Sequence, residues 1–298
     1  MAASSKVFQV ALYGLINEVN FIKAKSCVED LNRRNPELFP NPIILGMLQC
    51  DWDTYIENKR KELRGEAWGF SDKAIAFVNG ALIGGPDDFI SWAEDNHNYE
   101  EYRPEPLYFT LTEEAYKKKL NSQGHDHVFL DIAINDEFIG GLVIELFSDI
   151  TPKTCANFLL LCSGEKGESI ETGYRLCYEN SIFHRIVKNG WIQGGDLYQG
   201  RGNGGESVFG PVFEDENFVI KHNERGIVGM ANKGRHTNGS QFYITLQPCP
   251  WMDTKYVAFG KVIEGTEVLK KMEEQDTTNE RPNAEIKIVK CGVIHYEF

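Results

Sequence analysis

The stretch TNGSQFYITL, residues 237–246, is the most informative about the structure of the C-terminal half of this chain. Polar and apolar side chains alternate from Ser240 to Leu246, and successive residues of a β-strand point to opposite faces. We expect one face of this strand to fill a core and the other to meet a ligand. The first face carries Phe242, Ile244 and Leu246, and the second carries Gln241, Tyr243 and Thr245.

The same period of two recurs from the start of this half of the chain. Strands are predicted over 128–134 and 142–147. A helix should begin where Thr151 precedes Pro152, because threonine caps helices and proline is tolerated in their first turn. Short strands and Gly-rich turns follow, with one later helix near 266–274. This pattern predicts an all-β barrel with two helices.

The first part of the chain instead alternates strands with helices. Strands over 7–13 and 42–49 alternate with helices over 21–34 and 52–64, and a hairpin turns at Asn79-Gly80. A further helix follows the hairpin, so this part is predicted to be a small α/β domain. A charged helical pattern begins at Thr112, and the polar stretch 117–126 that follows it is typical of a linker. The predicted boundaries are a first domain over 1–116, a linker over 117–127 and a second domain over 128–298.

Net charge and the lack of a long apolar stretch disfavour two classes of partner. Its 298 residues carry 31 Lys and Arg against 44 Asp and Glu, a net charge of −13. A surface of this sign repels phosphate backbones, so nucleic acid is not an expected partner. The longest stretch without a charged residue, 236–252, contains Asn, Ser, Gln and Pro. Since it cannot span a bilayer, no membrane partner is expected either.

The cysteine pattern indicates a reducing compartment. The chain has seven cysteines, an odd number, and no C-x-x-C motif. This disfavours a disulfide framework and a thiolate zinc site, and it favours the cytoplasm.

No cofactor or metal ion is expected. Residues 200–205 match G-x-G-x-x-G, but Val208 and Phe209 follow in place of a helix, so a dinucleotide site is not predicted. His125 and His127 have no cysteine pair nearby, which makes them a poor metal site. The acidic segment 214–216 is interpreted as a solvated turn rather than a calcium loop.

The N-terminal domain resembles the thioredoxin/glutaredoxin fold. The stretch VNGALIGG, residues 78–85, is similar to the end of a glutaredoxin. That family carries C-x-x-C or C-x-x-S after its first strand, at a helix N-terminus that lowers the thiol pKa. This chain has Gly14-Leu15-Ile16-Asn17 there, and Cys27 is expected to be a buried apolar residue. The domain is therefore predicted to be redox-silent.

A set of motifs in the C-terminal domain resembles the cyclophilin family of peptidyl-prolyl isomerases. The set comprises FHRIV at 183–187, QGGD at 193–196, FEDENF at 213–218, GMAN at 229–232 and TNGSQFYI at 237–244. The resemblance implies an eight-stranded antiparallel barrel with two helices, and an activity on X-Pro bonds without a cofactor.

Isomerisation of an X-Pro bond has simple requirements. The barrier of roughly 18–20 kcal/mol comes from amide resonance, so no nucleophile, proton relay or metal is needed. A cation that stabilises the twisted prolyl nitrogen binds the transition state better than either ground state. Arg185 is the candidate catalytic residue. By resemblance, Gln193, Ala231, Asn232 and Gln241 contact the peptide, and Trp251 and Met252 form an apolar wall.

The chain also departs from the family at the proline pocket. Gly190-Trp191 stands where cyclophilins usually carry Phe-Met, Tyr243 stands for a phenylalanine, and Tyr256 stands for a histidine. A tyrosine hydroxyl in an apolar pocket costs free energy unless it finds a partner. The cation is thus kept while the pocket is reshaped.

These features lead to a binding module with weak or absent turnover as the predicted function. Its expected partners are proline-containing segments or a protein, within a larger assembly. The alternative is an active isomerase that assists protein folding. The expected location is the cytoplasm, or a cytoplasmic structural assembly such as the cytoskeleton.

Overall fold

A computed structural model describes residues 7–295 of the chain. It divides after Gln123 into an N-terminal unit and a C-terminal unit. Among the residues described, no helix combines the length and the apolar character that a membrane crossing requires.

The N-terminal unit has the alternating order that the sequence predicts. Its elements are β1 (Val10–Leu15), α1 (Val19–Arg34), β2 (Ile43–Met47), α2 (Gln49–Leu63), β3 (Ala74–Val78), β4 (Ala81–Gly84), α3 (Pro86–His97) and α4 (Glu105–Asn121). The four strands form one sheet in the order β2-β1-β3-β4, with β1 parallel to β2 and the other pairs antiparallel. The α/β class of this unit is confirmed, and its likeness to the thioredoxin fold stays a prediction.

Both faces of this sheet are covered by helices. On one face, Phe21 of α1 and Phe89 of α3 are buried against Leu12. On the other face, Trp52 of α2 is buried against Phe77. The unit therefore has an apolar core on each side of its sheet.

Helix α4 differs from the expectation at both ends. The helical pattern was predicted from Thr112, but α4 begins at Glu105, after Pro104. Pro106 lies in its first turn, where a missing N–H costs no helical hydrogen bond. The helix then continues through Asn121, and the first barrel strand begins at Asp126. Residues 117–121 of the predicted linker are thus helical, and the connection is only 122–125.

The C-terminal unit is built mainly of strands. Its elements are β5 (Asp126–Ile134), β6 (Glu137–Leu146), α5 (Pro152–Ser163), β7 (Arg185–Val187), β8 (Trp191–Gly194), β9 (Ile227–Met230), β10 (Phe242–Thr245), β11 (Ala258–Glu264), α6 (Thr266–Glu273), β12 (Thr277–Thr278), β13 (Arg281–Pro282) and β14 (Ile286–Ile294). Eight strands form one antiparallel sheet in the order β14-β5-β6-β11-β9-β10-β8-β7.

The two ends of this sheet are joined by the segment before β7. The N–H of Phe183 donates to the carbonyl of Ile286, and the N–H of Ile288 donates to the carbonyl of Ser181. These bonds close the eight strands into a barrel. The predicted antiparallel barrel with two helices, α5 and α6, is confirmed.

The barrel interior contains the apolar face of each strand. Phe242 and Ile244 of β10 lie in the main core, together with Ile186 of β7 and Ile192 of β8. Phe158 of α5 packs edge-on against Phe242, with ring centroids 5.1 Å apart. The alternation predicted for residues 240–246 therefore holds, and the other face of β10 points out of the barrel.

The start of α5 is held in a way that the sequence did not predict. Thr151 makes no capping bond to the helix, and its hydroxyl donates to the carbonyl of Phe147. Instead, the carboxylate of Glu216 accepts the backbone N–H groups of Lys153 at 3.0 Å and Thr154 at 2.8 Å. The interpretation of 214–216 as a solvated turn is wrong for Glu216, because its carboxylate satisfies free donors of a helix N-terminus.

Candidate functional site on the outer face of the barrel

A row of paired residues crosses strands β7, β8, β10 and β9. Arg185 pairs with Gln193, Gln193 pairs with Tyr243, and Tyr243 pairs with Gly229. Directly paired residues of antiparallel strands point to the same side of a sheet. Since the neighbouring residues fill the core, Arg185, Gln193 and Tyr243 all point outward. The strand period and the register of strand pairing together bring three predicted site residues onto one face.

The guanidinium of Arg185 contacts a carboxylate and an aromatic ring. Its Nε donates to Oε2 of Glu280 at 2.8 Å, and its Cζ lies 5.3 Å from the ring centre of Trp191. The Arg185 side chain is 43% exposed. The predicted catalytic cation thus lies at the surface, already paired with a carboxylate.

A chain of side-chain hydrogen bonds orders the two glutamines. Trp191 Nε1 donates to Gln193 Oε1 at 3.3 Å, and Gln193 Nε2 donates to Gln241 Oε1 at 2.9 Å. Gln241 Nε2 then donates to the carbonyl of Gly204 at 2.8 Å. These bonds fix the orientation of both amides and tie them to the Gly-rich loop 200–205.

A cavity of about 320 Å³ lies between this loop and the strands. Four predicted contact residues line it: Gln193, Ala231, Asn232 and Gln241. Arg185 and Tyr243 are not among its lining residues. The cavity therefore gathers the predicted peptide contacts but not the predicted cation or the proline slot.

The Gly-rich loop is held by one carboxylate. Asp196 accepts the backbone N–H groups of Gly202 at 2.8 Å and Gly204 at 3.2 Å. Burial raises the pKa of Asp196, but hydrogen bonds from backbone N–H groups outweigh it and leave the pKa below its ordinary value. The loop thus acts as a wall of the cavity, fixed by its own acid.

Asn232 also connects two loops. Its Nδ2 donates to the carbonyl of Lys255 at 3.3 Å, and its Oδ1 accepts the N–H of Gly234 at 3.2 Å. Part of the hydrogen-bonding capacity of this predicted contact residue is therefore used within the protein.

An apolar cluster lies beside the cavity. Tyr243, Cys249 and Met252 are buried in it, and Trp191, Ala231 and Tyr256 pack on top. The rings of Tyr243 and Tyr256 meet edge-on at 5.9 Å, and Tyr243 is only 1% exposed. Trp251 does not belong to this cluster and is 52% exposed. The cluster thus contains most residues of the reshaped pocket. It buries Tyr243, which is expected from the sequence to face a ligand.

The hydroxyl of Tyr243 is bonded beneath the cluster. It lies 2.5 Å from Nε2 of His222, whose Nδ1 lies 2.8 Å from Oδ1 of Asp253. Burial lowers the pKa of His222, against the opposing effect of Asp253, and burial raises the pKa of Tyr243 well above its ordinary value. A neutral ring with its proton on Nδ1 donates to Asp253 and accepts from the tyrosine.

Three residues of this arrangement escaped the sequence analysis: His222, Asp253 and Glu280. The GMAN motif at 229–232 contains Gly229, but the sequence does not predict its place beside Tyr243. A Cβ on Gly229 would lie 2.2 Å from the Tyr243 hydroxyl, so this position needs glycine. His222 lies 21 residues before Tyr243 in the chain, and Glu280 lies 95 residues after Arg185. No local pattern signals pairs so far apart.

The other candidate groups have structural partners. Cys27 is fully buried, and burial raises the pKa of its thiol to about 12, so no thiolate forms near neutral pH. His125 contacts Glu145 through Nδ1 and Asp149 through Nε2, at 2.8 and 3.0 Å. Within 7–295, no group of three or more His, Cys, Asp or Glu side chains is placed to hold a metal ion.

Comparison with known proteins agrees with this architecture. Residues 129–293 match the family model described as cyclophilin type peptidyl-prolyl cis-trans isomerase/CLD. The protein named "Probable inactive peptidyl-prolyl cis-trans isomerase-like 6" from Homo sapiens is 50% identical over 284 residues, which cover 95% of this chain and 91% of the relative. Its namesake from Mus musculus is 48% identical, over 96% of this chain and 91% of the relative.

A third relative matches a smaller share of the chain. The NK-tumor recognition protein of Homo sapiens is 51% identical over 176 residues, which cover 59% of this chain but 12% of that protein. The barrel, the motif residues on its outer face and the extent of these matches lead to one conclusion: the chain belongs to the cyclophilin-type peptidyl-prolyl cis-trans isomerase family.

Proposed function

We propose that this protein binds proline-containing peptide segments on the outer face of its barrel and isomerises them slowly or not at all. It then acts as a binding or structural module rather than as a folding enzyme. The observation that carries the proposal is the state of Arg185, whose guanidinium is paired with Glu280 at 2.8 Å. The relatives that are 50% and 48% identical over almost the whole chain carry "probable inactive" in their names.

Binding is supported by the cavity of about 320 Å³. Its volume falls within the usual range for ligand sites, roughly 300–1,000 Å³. The amides of Gln193, Asn232 and Gln241 supply donors and acceptors that suit a peptide backbone. These amides are already oriented by bonds within the protein, so a ligand loses less free energy in ordering them.

Slow turnover is supported by the apolar cluster. A proline ring needs an open apolar slot beside the cation, and here Tyr243 is 1% exposed beneath Tyr256 and Trp191. The hydroxyl bond to His222 holds the tyrosine ring in this buried position. Stabilisation of the transition state requires an unpaired cation and an open proline slot. Here the cation is paired with Glu280, and the apolar cluster covers the slot.

The alternative function is an active isomerase that assists folding. The observation in its favour is the exposure of Arg185, at 43%, which leaves the guanidinium within reach of a substrate. In this alternative, the substrate displaces Glu280 and opens the apolar cluster as it binds.

A cytoplasmic location, or one within a cytoplasmic assembly such as the cytoskeleton, is also part of the proposal. All seven cysteines are free thiols. Thiols that stay reduced are typical of cytoplasmic proteins. The partner in such an assembly would be a protein with a proline-containing segment.

The decisive experiment measures binding and turnover together. The full chain is mixed with a neutral, capped peptide that contains one Ala-Pro bond. Calorimetry gives the affinity, and NMR exchange spectroscopy gives the rate of cis–trans exchange. The variants are Arg185→Ala and, as a control, Arg175→Ala, an exposed arginine that pairs with Glu179 outside the row.

We expect binding with an exchange rate near that of the free peptide, and affinities of both arginine variants close to that of wild type, because Arg185 is paired and does not line the cavity. An exchange rate well above background that collapses in Arg185→Ala, but not in Arg175→Ala, establishes the active isomerase instead. Absence of binding at millimolar peptide contradicts the binding function itself.

A further inference from the structure

The turn that presents Glu280 to Arg185 has an unusual residue in it. Asn279 and Glu280 form the two-residue connection between β12 and β13, with φ angles of 51° and 64°. A tight hairpin turn with two positive φ angles favours Asn followed by Gly, because glycine has no Cβ to clash. At this positive φ, glutamate is less favourable for the backbone than glycine. Such a cost indicates a role for the glutamate side chain.

The backbone of this turn is attached to the strand that carries Arg185. The N–H of Ile186 donates to the carbonyl of Glu280 at 2.7 Å. The Glu280 carboxylate is therefore anchored beside β7 and accepts from Arg185 Nε at 2.8 Å. Since Trp191 lies on the guanidinium at 5.3 Å, the cation is held between a carboxylate and a ring.

The chain contains a second turn with the same backbone and a different neighbour. Asn135 and Asp136 connect β5 and β6 with φ angles of 50° and 64°. There the acidic side chain accepts from Lys287 Nζ at 2.8 Å, and neither residue lines the cavity at the proposed site. This turn provides a matched control, because it has the same geometry and also carries an ion pair.

We propose that Glu280 is a positioning residue that holds Arg185 in a neutral pair and thereby limits both peptide binding and isomerisation at the outer face. This inference rests on the proposed function, and it names the residue that regulates the site. A guanidinium already paired with a carboxylate offers little net positive charge to a prolyl nitrogen or a peptide carbonyl. Glu280 occupies the Nε donor, so a ligand can use Nε only by displacing this carboxylate, and a ligand of the other guanidinium donors binds in its negative field.

The size of the effect follows from the exposure of the pair. The two side chains are 43% and 48% exposed, and exposed ion pairs are weak. Removing the carboxylate should therefore raise affinity and rate by about two- to fivefold rather than by orders of magnitude. Salt should produce part of the same gain in the wild-type protein, because it screens exposed pairs.

The test uses Glu280→Gln in the full chain, with Asp136→Asn as its matched control. Glu280→Gly serves as a second variant that also relieves the positive φ, and the double variant Arg185→Ala/Glu280→Gln removes the cation. The affinity and exchange rate are measured with the same neutral Ala-Pro peptide at about 0.02 and 0.5 M salt, which span weak and strong screening.

We expect both Glu280 variants to bind more tightly than wild type at low salt, and this gain to shrink at high salt. Asp136→Asn should match wild type, and the double variant should show no gain. Tighter binding and faster exchange in Glu280→Gln support the proposal even if wild type does not bind, in which case only the proposed function fails. Wild-type binding with no change in either Glu280 variant overturns this inference alone. Absence of binding in every protein overturns both.

Discussion

At the scale of single residues, the buried tyrosine on β10 shows how an unfavourable group becomes tolerable. The Tyr243 hydroxyl lies in an apolar cluster, where an unbonded hydroxyl costs free energy. His222 and Asp253 remove this cost by forming a bonded series beneath the ring. The tyrosine is thus a fixed part of the structure and not a mobile pocket residue.

Replacement of this hydroxyl should destabilise the C-terminal unit. Tyr243→Phe removes the hydroxyl that donates to Nε2 of the fully buried His222. The unbonded nitrogen should lower the unfolding free energy by about 1–3 kcal/mol. Chemical denaturation followed by fluorescence measures the change in unfolding free energy. Tyr174→Phe, which alters a 39% exposed tyrosine, is the control and should change little. Equal stability of Tyr243→Phe and wild type would show that the histidine bond contributes nothing.

At the scale of elements, helix α5 depends on a residue far away in the chain. Thr151 and Pro152 mark the correct starting point, but the donors of the first turn are satisfied by Glu216, 62 and 63 residues later. The Thr154 hydroxyl also donates to this carboxylate, at 2.8 Å. A negative charge at a helix N-terminus is favourable for the helix dipole as well.

Loss of this remote cap should therefore weaken the barrel. We expect Glu216→Ala to lower the unfolding free energy by about 1–2 kcal/mol, the usual effect of losing a cap. Glu214→Ala is a matched control, because its 60% exposed carboxylate pairs with the side chain of Lys153 in the same helix. The idea fails if the two variants are equally stable in urea denaturation.

At the scale of the whole molecule, buried histidines should make the fold sensitive to mild acid. Burial lowers the pKa of His97 in the N-terminal unit and of His127, His184 and His222 in the C-terminal unit. Burial also disfavours the charged form of His125, but Glu145 and Asp149 outweigh it and raise that pKa.

The sign of the pH effect follows from these directions. A histidine with a lowered folded pKa binds protons more readily when unfolded, so its contribution is complete above the unfolded value of about 6.5 and is lost as the pH falls below it. His125 acts in the opposite sense, and its contribution is lost as the pH rises through its raised pKa. We expect the four histidines with lowered pKa values to outweigh His125, so the unfolding free energy should decrease from pH 7.5 to 5.5.

Urea denaturation at several pH values measures this dependence. His125→Gln removes the opposing contribution, so this variant should be more sensitive to acid than wild type. A stability that stays level or rises between pH 7.5 and 5.5 contradicts the assignment of neutral, buried histidines.

Features that depend on short-range patterns can be predicted from the amino-acid sequence. The alternation of Phe242 and Ile244 with Tyr243 predicts which face of β10 enters the barrel, and the same period places Arg185 and Gln193 on the outer face. The α/β order of the first unit and the two helices of the second follow from equally local signals. Hydrophobic periodicity works over a few residues, so it can be recognised without a structure.

Contacts between distant side chains can be seen only in the folded chain. The bond from Arg185 to Glu280 joins residues 95 positions apart, and the bond from Thr154 to Glu216 joins residues 62 apart. The same holds for Tyr243 and His222, 21 positions apart. Such contacts depend on how the loops return to the barrel, because the strength of a hydrogen bond or an ion pair is set by distances in space and not by spacing along the chain.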